Sequence, residues 1–513
     1  MRSLLSVIFT LCTAALSSAA QRNILLIIAD DFGQDSSSLY NSNASASLPP
    51  TPNLNALKTG GVLFRNAWAH PTCSPTRASI LTGRQPFRTG VDQALTPVSG
   101  GQLQASEFTL PEIFAGHAPG YSTAQFGKWH LATGPSSPNS IGGWPHFSGS
   151  IQGAVQSYTS WNKVVNGVTT MNYTNYATTD AVDDTAAWIQ ARGTQPWLAW
   201  VAFNAGHTPL HKPPDSLHSY DSLSGTQVNI NQNPRPYFEA MIEAMDTEIG
   251  RLLAAVDRGN THIIFIGDNG TTPALIQPPY DAHGKGSLYE GGVRVPLVIN
   301  SPDIVSPGRE SAAVVHAVDL FSTILELAGM DPAATLPGGV TVDARSLVPV
   351  LKNQTETAER FACSEIAADE NPSNRMGAAV RNTGYKLIRF TDDDEELYNL
   401  TTDPYETVNL LAANLDAPAQ ANYYSLVLKL SEMQDTVPAP EITATAAGAG
   451  SFSVTVKQAG GTTYGLWRSA DMGGNSWAPL GNATSVMGGG FVTLTDPLAA
   501  AARSYYRVMA TVP

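Results

Sequence analysis

A cysteine followed at fixed spacing by proline and arginine, Cys73-Ser-Pro-Thr-Arg77, is the most specific string in this chain. In an exported protein a cysteine normally pairs in a disulfide, and Cys363 is the partner left to it once Cys12 departs with the amino-terminal segment. Far from Cys73 in sequence stand two clusters of hard oxygen donors, Asp30-Asp31 and Asp268-Asn269. Such donors suit calcium or magnesium and not zinc, and no Cys/His zinc spacing occurs. Alone, an Asp-Asp pair more often makes a solvated turn or a helix cap. Two clusters that each close an apolar run read instead as one metal site. Lys128, in Gly127-Lys-Trp-His130-Leu131, and Lys285, in Gly284-Lys-Gly-Ser, are cations in glycine-rich settings. His130 and His207 carry imidazoles, whose pKa near working pH suits proton transfer. His117, His211, His262, His283 and His316 read as satisfied polar residues, with His211 and His283 within reach of a substrate.

The elements that must position these groups are strands. Asn23–Ala29 is a continuous apolar run, as a strand buried on both faces reads, and it ends in Asp30-Asp31. Thr261–Ile266 ends in Gly267-Asp268-Asn269-Gly270, and Trp197–Phe203 ends in Asn204-Ala-Gly-His207. Between the last two, Phe238, Met241, Ile242, Met245, Ile249, Leu252, Leu253 and Val256 recur at three and four, which predicts an amphipathic helix over Tyr237–Val256. Strands alternating with helices predict an α/β sheet covered on both sides, with function at the carboxyl ends of its strands.

After Leu351 the pattern changes. Phe361–Ile366, Gly377–Val380, Lys386–Phe390 and Leu397–Leu400 read as short strands before a helix near Ala419–Met433, a smaller α+β unit. Val437-Pro-Ala-Pro440 reads as a linker, and 441–513, with alternating runs such as Phe452–Val456 and Tyr505–Val508, as an appended β-sandwich.

The chain has 513 residues, 42% hydrophobic and 14% charged, with a net charge of −14. Length implies more than one packed unit. The acidic balance argues against nucleic acid or an anionic membrane as partner. Met1–Ala20 reads as a signal peptide, with Arg2, the apolar stretch Leu4–Leu16 and the small residues Ser18-Ala19-Ala20. Its apolar stretch is too short to span a bilayer, so a secreted or periplasmic protein without a membrane span is expected.

Cys73–Arg77, continuing to Leu81-Thr82-Gly83-Arg84, resembles the signature of the type I sulfatases, with Thr76 where serine or alanine is commoner. Asp30-Asp31, Gly127–Leu131, His207-Thr-Pro-Leu-His211, Asp268–Gly270, Gly284–Pro296, Glu396–Leu400 and Asp403-Pro-Tyr-Glu406 resemble that family's other landmarks, and the resemblance runs from about Asn23 to about Leu410. It implies an alkaline-phosphatase-like mixed sheet flanked by helices, divided as a catalytic domain over 21–358 and an α+β subdomain over 359–436, with the β-sandwich of 441–513 outside it. It also implies conversion of Cys73 to formylglycine by a maturation enzyme, and a calcium (or magnesium) ion on Asp30, Asp31, Cys73, Asp268 and Asn269. One hydroxyl of the hydrated aldehyde then attacks sulfur and expels the alcohol, and the other loses its proton as sulfate leaves. Arg77, Lys128 and Lys285 supply positive charge, His130 is the base of the elimination, and His207 with Lys285 serves the leaving oxygen.

The resemblance implies a sulfate ester as substrate, with an aryl ester, a sulfated carbohydrate and other small sulfate esters all open. A phosphodiesterase or phosphonate monoester hydrolase using the same site is the alternative. Loops Ala94–Ser106, Thr133–Asn172 and Leu210–Pro236 are expected to line the pocket, and Ser148 or Ser150 to reach the sulfate.

Overall fold

The computed structural model describes residues 21–96, 101–280, 283–367, 375–392, 394–433, 442–448, 451–457, 463–469, 478–480, 484–488, 491–497 and 505–511. The signal peptide and the Pro-rich linker lie outside the described residues. Among those described, no helix is long and apolar enough to cross a membrane.

Ten strands form the main sheet: β1 (Asn23–Ala29), β2 (Gly61–Trp68), β3 (Ser122–Lys128), β4 (His146–Ser150), β5 (Trp161–Val165), β6 (Val168–Tyr173), β7 (Trp197–Ala202), β8 (Thr261–Gly267), β9 (Leu297–Asn300) and β10 (Arg309–His316). Their order is β10-β2-β9-β8-β1-β7-β3-β4-β5-β6. β8, β1, β7, β3 and β4 run parallel. β9 is antiparallel to both β8 and β2, so β2 points the same way as the central strands. Asp30, Asp268, Lys128, Cys73 and His207 therefore all follow strands that end at one edge of the sheet.

The apolar runs alternate sides as a doubly covered sheet requires. Ile24, Leu26 and Ile28 face a core built with Ala78, Ile80 and Leu81 of the helix Cys73–Thr82 and with Leu320 and Phe321 of the helix Asp319–Leu327. Leu25, Ile27 and Ala29 face the helix Pro234–Ala254 through Phe238, Met241, Met245 and Ile249. That helix begins three residues before the periodicity predicts, because Pro234 occupies its first turn, where no amide donor is needed.

β11 (Ala362–Ile366), β12 (Gly377–Arg381), β13 (Tyr385–Phe390) and β14 (Glu395–Asn399) make an antiparallel sheet. One face packs on Trp68, Leu288 and Val293, and the other on Leu426, Val427 and Leu430 of the helix Ala417–Met433. Beyond it, a four-stranded and a three-stranded antiparallel sheet share a core of Val454, Val456, Leu466, Val492 and Leu494. This sandwich meets the preceding helix through an edge-on pair, Tyr424 and Trp467, with ring centroids 4.8 Å apart.

Candidate active site

Cys73 is the first residue of the buried helix Cys73–Thr82, so the positive end of the helix dipole lies at its side chain. Ser74 Oγ donates to His130 O (2.8 Å) and accepts from Leu95 N (3.0 Å), tying the helix start to the neighbouring loops. Thr76, the departure from the commoner residue, accepts from His70 N at 2.9 Å, a bond its hydroxyl makes without crowding. The Leu81–Arg84 half of the string is structural. Gly83 ends the helix at φ 72°, and Arg84 pairs with Glu107 at 3.3 Å.

Cys73 Sγ lies 3.5 Å from Asp30 Oδ1 and 3.4 Å from Lys285 Nζ. Asp30, Asp31, Cys73 and Asp268 offer ligand atoms within 4.8 Å of one another, all four residues buried. Around them the carboxylates are matched by cations. Lys128 Nζ sits 2.5 Å from Asp30 Oδ2. Arg77 grips Asp268 Oδ2 through Nε (3.0 Å) and Nη2 (2.7 Å). Lys285 Nζ reaches Asp31 Oδ1 at 2.5 Å. Asn269 Nδ2 also donates to Asp31 Oδ1, at 2.7 Å. Two buried oxygens are left without a hydrogen-bond partner, Asp31 Oδ2 and Asn269 Oδ1. Orphaned buried acceptors are costly unless something fills them, and a set that is oxygen apart from Cys73 Sγ, with spare lone pairs, fits a hard cation such as calcium.

The backbone is arranged for this. Asp31 (φ 53°) and His130 (φ 57°) occupy the left-handed region, which non-glycine residues adopt only when their surroundings hold them there. A Cβ on Gly270 would stand 2.0 Å from Gly291 O, so only glycine lets the Asp268–Asn269 turn approach the Lys285 loop this closely.

Electrostatics follow from burial and charge. Burial pushes the Cys73 thiol up to about 12, against the pull of Lys128 and Lys285, so the unmodified thiol stays protonated at neutral pH. Burial raises Asp268 to about 6, with Asp30 adding to it and Arg77 opposing. Burial also works to raise Asp31, but Lys285, His207 and Lys128 outweigh it and hold that carboxyl well below the usual range. Burial, then Lys128, pushes His130 well below its ordinary value, and burial, then Lys285, lowers His207 to about 4. His130 Nε2 meets Leu95 O at 2.7 Å and must donate to it, which leaves Nδ1, buried and without a partner, as a free base. His207 Nδ1 meets Thr208 O at 2.9 Å, and its Nε2 lies 3.9 Å from Asp31 Oδ2.

A cavity of about 810 Å³ opens over Cys73, lined by Asp31, His130, His207 and Lys285 at its base. Arg77 and Lys128 are fully buried behind it, holding Asp268 and Asp30, and do not line it. Ser150 lines it, whereas Ser148 is turned away to Asp184. Of the three expected loops, segments around 94–96, 133–135 and 150–169 contribute and 210–236 does not. That segment instead covers the helix Pro234–Ala254, with Ser219 bonded to Glu243 and Tyr220 to Glu239. His211 stacks on Tyr158 (4.2 Å) and His283 on Tyr289 (3.7 Å), both outside the cavity lining.

Several supporting contacts escaped the sequence reading, which singled out Glu406 without its partners. Asp35 accepts from Thr271 Oγ1 (2.6 Å), and Thr271 Oγ1 also accepts from Gly33 N, clamping the two ligand turns together. Glu406 accepts from Glu290 N (2.6 Å) and pairs with Lys386 (2.5 Å), fixing the far end of the Lys285 loop. A Cβ on Gly153 would stand 2.5 Å from the His130 ring. An acidic residue one turn beyond Asp31, and a threonine two beyond Asn269, were the signals available for the first pair.

The family model described as Sulfatase matches residues 22–330, and that described as N-sulphoglucosamine sulphohydrolase, C-terminal, matches 280–435. Arylsulfatase A of Bos taurus is 31% identical over 456 residues, 82% of this chain and 83% of that protein. N-acetylgalactosamine-6-sulfatase of Mus musculus is 30% identical over 397 residues, 69% of this chain and 71% of that protein. The crystal structure of Ps i-CgsB in complex with k-i-k-neocarrahexaose shares the fold, with a TM-score of 0.68 at 23% identity, over 81% of this chain and 93% of that chain.

Proposed function

Because this chain belongs to the sulfatase family and is a sulfuric ester hydrolase, we propose that it acts through a formylglycine made from Cys73, beside a calcium ion held by Asp30, Asp31, Asp268 and Asn269. The observation that carries this reading is the coincidence of nucleophile and ligand set. Cys73 Sγ lies within hydrogen-bond reach of Asp30 Oδ1, in a cluster where Asp31 Oδ2 and Asn269 Oδ1 have no protein partner. Burial pushes the thiol up to about 12, so the unmodified thiol would be a poor nucleophile at neutral pH. Calcium in that donor set would supply Lewis-acid charge at the nucleophile and the sulfuryl group.

The chain's own residues do the rest. Lys285, at the cavity base and 3.4 Å from Cys73 Sγ, puts an ammonium where negative charge gathers on sulfuryl oxygens. Arg77 and Lys128 act one layer back, orienting Asp268 and Asp30 through contacts of 2.7 and 2.5 Å. As the S–O bond to the alcohol breaks, its electron pair goes to the leaving oxygen and His207 Nε2 delivers the proton. The anionic ester beside His207 favours the charged imidazole this step needs. Neutral His130, with Nε2–H fixed on Leu95 O, takes at Nδ1 the proton released by the residue-73 hydroxyl as sulfate leaves. The ester is that of a phenol or a carbohydrate, as the names of the relatives suggest.

Mass spectrometry of the peptide containing residue 73 tests the reading, since the aldehyde form is lighter than the thiol. Sulfate release should track the aldehyde fraction and vanish in Cys73→Ala. Full activity in protein shown to retain an unmodified thiol would refute it.

A further inference from the structure

The walls of the cavity differ from its base. Among the described residues, the acidic and lysine or arginine side chains that line it are Asp31 and Lys285, both at the Cys73 end. Above them the lining mixes aliphatic side chains such as Ile151, Val155 and Val164 with neutral polar ones, among them Gln152, Gln156, Thr133 and Thr169. No Phe, Tyr or Trp lines it.

A basic residue within the strand that contributes to the outer wall faces away. In the strand Trp161–Val165, Asn162 and Val164 share the face that lines the cavity, so Lys163 between them points to the other. There its ammonium is consumed by Asp180 and Asp184, each at 2.7 Å. The chain's net charge of −14 adds no compensating field. A substrate that buries a second sulfate or a carboxylate against these walls would leave an anion without a counter-ion in an apolar setting, which is strongly unfavourable. Hydroxyl or carbonyl groups would instead meet the amides.

We propose that this sulfatase is selective for esters carrying a single sulfate on an otherwise uncharged body, and discriminates against polyanionic esters. The inference rests on the sulfatase reading above and adds to it a substrate class.

The test compares two aryl sulfates with leaving groups of similar acidity: the sulfate of 4-methylumbelliferone and that of 7-hydroxycoumarin-4-acetic acid, which adds one carboxylate. Protein carrying calcium and the residue-73 aldehyde should show kcat/KM about tenfold or more higher for the neutral body. The ratio should persist at 1 M salt, where the Debye length shrinks to about 3 Å and long-range repulsion is screened. Gln156→Lys, which introduces a cation into the wall, should shrink the ratio. A ratio of one or less, or one that collapses in 1 M salt, overturns the substrate class and leaves the sulfatase chemistry standing. Turnover of neither ester by that fully loaded protein would overturn this inference, while the mechanism stands or falls on the residue-73 test.

Discussion

Asn269→Ala separates the metal site's cost from its benefit. In the metal-free protein, Asn269 Nδ2 donates to the Asp31 carboxylate at 2.7 Å and to Gly270 O at 2.9 Å, while its Oδ1 is buried without a partner. The bond to a charged acceptor is worth about 1.5–3 kcal/mol, the neutral one about 0.5–1.5, and the orphaned oxygen costs about 1–3. Deleting the side chain loses the first two and removes the third, a net destabilisation of about 1–2 kcal/mol. The calcium-loaded protein loses a ligand as well. If affinity falls about tenfold, then at free calcium 100-fold above the native Kd the stabilisation by calcium drops from about 2.7 to about 1.4 kcal/mol. Thermal unfolding in chelator and in calcium, with calcium titrated by calorimetry, reads both quantities without any turnover. The variant should unfold below the native protein in chelator by about 1–2 kcal/mol, and the gap should roughly double in calcium. An unchanged calcium-induced shift would show that Asn269 Oδ1 is not a ligand.

Two further outcomes are expected. His207→Ala should lose rate most on esters of weakly acidic alcohols, whereas His130→Ala should be slow on all esters alike and accumulate sulfated enzyme; equal leaving-group slopes would contradict the division of roles. A chain ending at Asp435 should stay folded and hydrolyse a small aryl sulfate, because the sandwich has its own core and meets the rest through contacts such as Tyr424 with Trp467; loss of the cooperative thermal transition would show that 441–513 is integral.

The parts of the site legible in sequence are those that follow continuous apolar runs. β1 and β8 are seven-residue strands buried along almost their whole length, and the register Ile28 with Ile266 and Ala29 with Gly267 carries Asp30 and Asp268 to one edge together. β3 was not legible as a strand, because Ser122-Thr-Ala-Gln-Phe-Gly-Lys128 mixes polar residues into a buried position. Its Gln125 side chain folds back to donate to Lys128 O at 3.0 Å, a local bond that satisfies a donor no hydropathy pattern would forgive. The Asp403–Glu406 string stood out in sequence, but Glu406 does its work at Lys386 on a neighbouring strand and at Glu290 N, more than a hundred residues away, and through-space pairing has no period.

The same reasoning bears on the cations. Sequence assigns Arg77, Lys128 and Lys285 one common task, yet burial divides them. A fully buried arginine with two bonds to Asp268 and a fully buried lysine on Asp30 have few donors left over. Three carboxylates against three cations leave the protein cluster near neutrality by itself. A divalent ion in the gap at Asp31 Oδ2 and Asn269 Oδ1 would turn that balance into a net positive field at the cavity base, where an anionic ester must bind. The buried pairs thus hold these carboxylates in place, and the charge that would greet the substrate is left to Lys285 and such an ion.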